Sequence, residues 1–177
     1  MRIICQTGEA VEVEGPLDHS QLAGLQLHRA ILERASFKEA TFEDCDLRSA
    51  LFALSSGRSS RFLRCSVVLA GFQGADLRGA SFEEGDGFAS DFTGADLTGA
   101  LFSGIRIEQA SFRGSNLDAA DLSQCEMAGA LLEGAVYTPQ TRWQEGFDPS
   151  TSGAILVGDQ REAFSFLDAD GEEPCPG

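Results

Sequence analysis

From residue 17 to residue 137 an apolar residue recurs at nearly every fifth position, a period that neither a helix nor an ordinary strand produces. The frame runs Leu17, Leu22, Leu27, Leu32, Phe37, Phe42, Leu47, Phe52 and onward, without a shift, to Leu132 and Tyr137. Only Gly57 and Gly87 interrupt it. Two places before most centres stands a small residue, as at Ala30, Ala35, Ala40, Ala50, Ala70, Ala75 and Ala80. Residues two apart in an extended segment point to the same side, so both face an interior. The other three positions are mostly charged residues, Ser, Thr or Gly, and face water. Such a period belongs to a repeat architecture.

Each unit must bend before the next begins. Gly24, Gly74, Gly79, Gly94, Gly99, Gly104, Gly114, Gly129 and Gly134 all lie two places after a centre, where a type II turn requires φ > 0. Four short faces with four bends close a square coil of about 20 residues, and successive coils stack at ~4.8 Å as parallel strands do. The 20-residue register is itself a test. One face stacks Leu22, Phe42, Phe62, Phe82, Phe102 and Leu122, and its opposite stacks Leu32, Phe52, Phe72, Phe92, Phe112 and Leu132. The intervening faces are mostly aliphatic. A five-residue rule does not require that segregation, whereas a four-sided coil with stacked rings does.

These units resemble the pentapeptide-repeat family, whose repeat reads A-[DN]-L-x-x, through Ala75-Asp76-Leu77-Arg78-Gly79, Ala95-Asp96-Leu97-Thr98-Gly99 and Ala120-Asp121-Leu122-Ser123-Gln124. The resemblance implies an all-β fold, a right-handed quadrilateral parallel β-helix, here of about six coils over residues 16–137. A stacked coil leaves open ends. Residues 1–15 are expected as a cap, with short strands at Arg2 to Cys5 and Val11 to Glu14. Residues 138–167 are expected as a C-terminal cap or dimerisation segment, and 168–177 as an acidic disordered tail. Thr138-Pro139 has the form of a helix N-cap with proline at the first position. Trp143 and Phe147 suit covering the last coil, and Ala154 to Val157 suits a strand. Phe164, Phe166 and Leu167 are too apolar to be left free, so they are expected to dock on the coil or join a homodimer.

The two missing centres leave holes. At Gly57 the Ser-rich surroundings suggest a loosened corner. At Gly87 the neighbouring Phe88 is expected to swing inward, because an unfilled void is costly. The alternative is that Phe88 stacks outward beside Val68 and Leu69, making an apolar partner site.

The chemistry of catalysis is hard to find. Cys45, Cys65 and Cys125 share one inward column and read as free packing thiols, consistent with a reducing, cytoplasmic compartment. With only His19 and His28 beside them, no spacing supports a metal. Asp168 to Glu173 echoes half a calcium loop but lacks its later ligands. No cofactor motif and no membrane-spanning stretch is present. Carboxylates on a convex surface do not make a pocket, so no enzyme is expected.

What remains is charge. With 28 acids against 13 bases the formal charge is −15, which disfavours direct binding to nucleic acid. Residues 16–65 hold seven bases and six acids, whereas residues 66–137 hold three bases and eleven acids. A narrow negative rod of six coils, ~29 Å at ~4.8 Å each, imitates about eight or nine base pairs of duplex. The resemblance extends to family members that confer quinolone resistance by binding DNA gyrase, and it implies a type II topoisomerase as partner. The expected DNA-mimicking face comprises Asp76, Glu83, Glu84, Asp86, Asp91, Asp96 and Asp121. The alternative is a generic protein-interaction scaffold that uses Val68, Leu69 and Phe88.

Overall fold

The structure, a computed structural model, describes residues 2–158. The five-residue units wind into a parallel β-solenoid in which each level repeats after twenty residues, since Leu22 pairs with Phe42, Phe42 with Phe62, Phe62 with Phe82 and Phe82 with Phe102. The first face of each coil is regular strand. It comprises β3 (Gln21–Ala23), β4 (Thr41–Glu43), β5 (Arg61–Leu63), β6 (Ser81–Glu83), β7 (Leu101–Arg106) and β8 (Asp121–Glu126), in one six-stranded sheet in sequence order. The second, third and fourth faces are joined by single parallel bridges, such as Asp46↔Ser66, Ile31↔Leu51 and Asp76↔Asp96. Six full coils span Leu17 to Val136, and the chain continues into about a seventh turn, where Asp121 bridges Arg142.

Centre and small residue both point inward, as their two-residue spacing requires. Nine phenylalanines are fully buried. Those of the first face stack at 5.0, 4.7 and 5.1 Å from Phe42 up to Phe102. Those of the third face stack at 4.6, 5.0 and 5.1 Å from Phe52 up to Phe112. The two stacks meet edge to face, as where Phe72 meets Phe82 at 84°. Both arrangements suit the quadrupole of the ring.

Three corners of each coil are tight turns closed by an i to i+3 bond, for example Ala30 N–H to Leu27 O, Ala35 N–H to Leu32 O and Ala40 N–H to Phe37 O. From His19 to Gly134 the residue two after the centre has positive φ at every coil position but Gln124, whether it is Gly74 (63°) or Arg34 (57°), Leu69 (56°) or Ala119 (53°). The corner after the first face is instead an open bend at residues 24, 44, 64 and 84. There the small position holds Leu25, Cys45, Cys65, Gly85, Ile105 and Cys125, bulkier on the whole than the Ala and Ser of other corners. The thiols donate to inward-column carbonyls, Cys45 to Leu22 O and Cys65 to Phe42 O, both at 3.3 Å.

Both missing centres are filled from neighbouring coils. A Cβ on Gly57 would lie 2.1 Å from the ring of Phe37, one coil before it in the same column. The corner is not loosened, because Gly57 N–H still donates to Asp76 O at 2.9 Å. At Gly87 the side chains of Ile107 and Ile105 close in, 3.2 and 3.4 Å from where a Cβ would stand. Phe88 therefore does not swing inward. It stays outside, 39 % exposed.

The front of the solenoid is covered by an antiparallel hairpin of β1 (Arg2–Ile4) and β2 (Ala10–Glu12), which buries Ile3, Cys5 and Val13. Cys5 bridges Ala30, and Ile31 N–H donates to Ile4 O, so the hairpin is tied to the first coil. At the back, Tyr137, Trp143 and Phe147 form an aromatic cluster, with centroids 5.5 and 5.4 Å apart. Thr138-Pro139 does not start a helix; Thr141 N–H returns to Thr138 O in a turn. The helix signature belongs ten residues later, to a 3-10 turn at Pro149–Ser152 whose N-cap Asp148 accepts from Ser150 N–H. Beyond it β10 (Ile155–Leu156) pairs in parallel with β9 (Val136–Tyr137).

Candidate functional site

The register places the seven singled-out carboxylates on all sides of the rod. Glu83, Glu84 and Asp121 lie on the first face, Asp86 on the second, Asp91 on the third, and Asp76 and Asp96 one above the other on the fourth. No single side holds all seven. The geometry does bring Glu83, Glu84 and Asp86 together around one corner.

Most of these groups are neutralised locally. Asp76 sits between Arg78, at 2.9 Å, and Arg58. The Arg78 hydrogen bond, joined by Arg58, holds the Asp76 carboxyl at about 2 despite its partial burial. Arg78 also reaches Asp96 at 3.4 Å. Glu83 pairs with Arg61 at 3.1 Å, Asp121 with Arg142 at 2.7 Å, and Asp86 with Arg106. Burial pushes Asp91 upward, but hydrogen bonds from Thr93 and Gln73 outweigh it and lower the carboxyl.

The Glu84 carboxylate alone of the seven has neither an arginine nor a hydrogen-bond partner among the described residues. Among the other acids of residues 66–137 two share that condition, Glu108 and Glu126, both on the second face. Together with Glu84 they form the unneutralised acidic strip of coils four to six. Sequence reasoning counted Glu108 and Glu126 without selecting them. The signal was available: arginines pair across coils at separations of 18 to 22 residues, as in Arg58–Asp76 and Arg61–Glu83. Glu108 has no arginine at such a separation, and Arg106, which stands one coil before Glu126 in its column, is drawn to Asp86 instead.

The apolar candidates are brought together. Val68 and Phe88 occupy one outward column a coil apart, and Leu69 N–H donates to Phe88 O at 3.0 Å. Leu69 is 60 % exposed and Leu54, at the far edge of the third face, 55 %. Between them Leu51 bridges Gly71 in the outward column of that face. The result is a ridge over coils two to four.

The dimerisation candidates Phe164, Phe166 and Leu167 lie outside the described residues. The four described cysteines are free and buried. Burial pushes the Cys125 thiol up to about 12, and Cys65 is raised by the hydrogen bond it shares with Cys45 and by burial. Among the described residues no cluster of three or more His, Cys, Asp or Glu is placed to hold a metal, and no helix is long and apolar enough to cross a membrane.

A family profile described as "Pentapeptide repeats (8 copies)" matches residues 17–52, 70–104 and 102–136. No curated protein matches. Among solved structures, full-length QnrB1, a plasmid-mediated fluoroquinolone resistance protein, is similar with a TM-score of 0.64 at 15 % identity, covering 85 % of this chain and 89 % of that one. A trypsin-treated form of QnrB1 gives 0.58 at 16 %, covering 84 % and 94 %. At these identities the likeness is one of fold.

Proposed function

We propose, from the premise that this chain belongs to the pentapeptide-repeat family, that it is a non-enzymatic protein ligand of a type II topoisomerase such as DNA gyrase. It occupies the enzyme's basic duplex-binding surface in place of DNA and protects the enzyme from antibiotic poisons, acting in the cytoplasm. The observation that carries this reading is the strip of Glu84, Glu108 and Glu126, unneutralised on the half of the rod that holds eleven acids against three bases. Stacked coils fix the spacing of the backbone positions that carry these charges, so no backbone ordering entropy is spent when a basic groove closes on them. The fold shared with QnrB1, whose own role is fluoroquinolone resistance, supports the choice of target class.

The test is a supercoiling and cleavage assay with purified gyrase, with and without a fluoroquinolone. At micromolar protein, drug-stabilised cleavage is expected to fall. An assay showing neither inhibition nor protection removes the proposal.

A second reading rests on a different observation, the outward Phe88. A ridge of Val68, Leu69 and Phe88 on a charged rod suits a protein contact driven by apolar burial. Binding through it would be insensitive to salt, whereas binding through the acidic strip weakens as ionic strength rises.

A further inference from the structure

We infer that the ridge over coils two to four is the docking site of the chain's own C-terminal segment, residues 163–173. The inference rests on the second reading above, that the ridge is a protein contact, and names what covers it.

The surroundings of the ridge select the ligand. Directly before Leu54 in its column stands Arg34, directly before Val68 stands Arg48, and two coils before Leu69 stands Arg29. Arg29 and Arg34 have no ion-pair partner among the described residues, and Arg48 pairs only with its neighbour Asp46. On the other side of the ridge the outward groups are acidic or already paired, including Asp86 with Arg106, and Asp91. A complementary ligand is therefore apolar over coils three and four, then acidic toward coils one and two.

Residues 163–173 have that order. Ala163, Phe164, Phe166 and Leu167 come first, followed by Asp168, Asp170, Glu172 and Glu173. Length and point of departure agree. The described chain leaves the solenoid after Val157, whose N–H donates to Tyr137 O on the fourth face, next to the third. The ridge begins a little more than three coils back along the axis, ~17 Å at ~4.8 Å per coil. It lies one face across, roughly 10 to 15 Å for three or four extended residues. Phe166 and Leu167, eight and nine residues past Gly158, span up to ~27 to 30 Å. A segment tethered in this way acts at an effective concentration in the millimolar range, so modest contact energy suffices.

The test uses the full chain with a nitroxide on Cys175, since the four described cysteines are buried. In the 15N-enriched protein, amide signals of Arg29, Arg34, Ser49 and Leu54 are expected to lose most of their intensity. Those of Ser123 and Gln124, at the far end, should keep theirs. Leu69→Glu, at an exposed position that leaves the core untouched, should restore the lost signals, as should Phe166→Ser. Weak, uniform broadening overturns the proposal, as does a pattern that survives Leu69→Glu. A mixture of spin-labelled unenriched chain with unlabelled 15N chain tests the other occupant: broadening there assigns the segment to a second copy and refutes docking in cis. If Leu69→Glu abolishes an outside interaction while the label never reports contact, the ridge remains a protein site and only its occupant is wrong.

Discussion

A side chain at Gly57 and the ring of Phe37 compete for one volume, since a Cβ on Gly57 lies 2.1 Å from the ring. Phe37 stands in a column with Leu17, Leu77, Leu97 and Leu117, which ends on Tyr137. Gly57→Leu is expected to cost about 2–3 kcal/mol through overpacking, and Phe37→Leu a similar amount through the void it leaves. Combined, they make the column leucine from residue 17 through residue 117, and thermal melts should show a double mutant more stable than either single one. The period of five revealed that Gly57 and Gly87 were empty but not what fills them. The filling residues, Phe37, Ile105 and Ile107, sit 18 to 20 residues away on adjacent coils, so their part depends on volumes summed across coils. Phe88 is adjacent only in sequence. Asp76 offers a second test at this scale. Its folded carboxyl is held at about 2, below the unfolded value of about 3.9. Its contribution is thus present above pH ~4 and is lost as pH falls through ~2. Asp76→Asn should cost about 1–2 kcal/mol at pH 7, allowing for solvent screening of the arginines. It should also flatten the fall in melting temperature between pH 4 and 2.

At the scale of the single turn, the glycines predicted the corners, but the corners do not depend on glycine. Fourteen non-glycine residues have positive φ, among them Ala119 at 53°. The stacked coils hold these backbones on both sides, as where Gly99 N–H donates to Asp118 O beside Ala119. Left-handed backbone costs a non-glycine residue about 1–2 kcal/mol, and the extra chain entropy of glycine offsets only about 0.5–1. Ala119→Gly is therefore expected to stabilise the protein by roughly 0.5 kcal/mol, against the usual direction for that exchange; denaturant midpoints would show it. Local signals were less reliable at the C-terminal end. Thr138-Pro139 and Asp148-Pro149 carry the same capping chemistry, yet only the second forms a helical turn. Backbone partners decide the difference. Thr138 Oγ1 accepts from Gln140 N–H at 3.3 Å while donating to Asp118, one coil away at 2.8 Å, so the cap itself forms, but Arg142 is claimed by the ladder through Asp121. A motif that reads as a helix start is overridden where the next rung of a solenoid is available.

For the whole molecule the question is which charges a partner senses. Net charge and partial neutralisation make different predictions, and two triple variants separate them. Glu84→Gln, Glu108→Gln and Glu126→Gln remove three carboxylates that have no arginine partner. Asp76→Asn, Asp86→Asn and Asp121→Asn remove three that are paired with Arg58 and Arg78, Arg106 and Arg142. Both changes alter the formal charge equally. If the rod imitates duplex through its total charge, the two triples weaken topoisomerase binding alike. If recognition uses the unneutralised strip, the glutamine triple alone loses most of the affinity at low salt, by about tenfold or more. The asparagine triple would lose some stability and keep its binding at temperatures well below its melting point. The salt dependence supplies the internal control, because removing exposed charges flattens the fall of affinity with ionic strength. Competition with a labelled DNA duplex for purified gyrase, measured from 50 to 300 mM salt, reads both effects together. Equal losses for the two triples would reject the strip as the recognition element, and a steep salt slope retained by the glutamine triple would reject it independently.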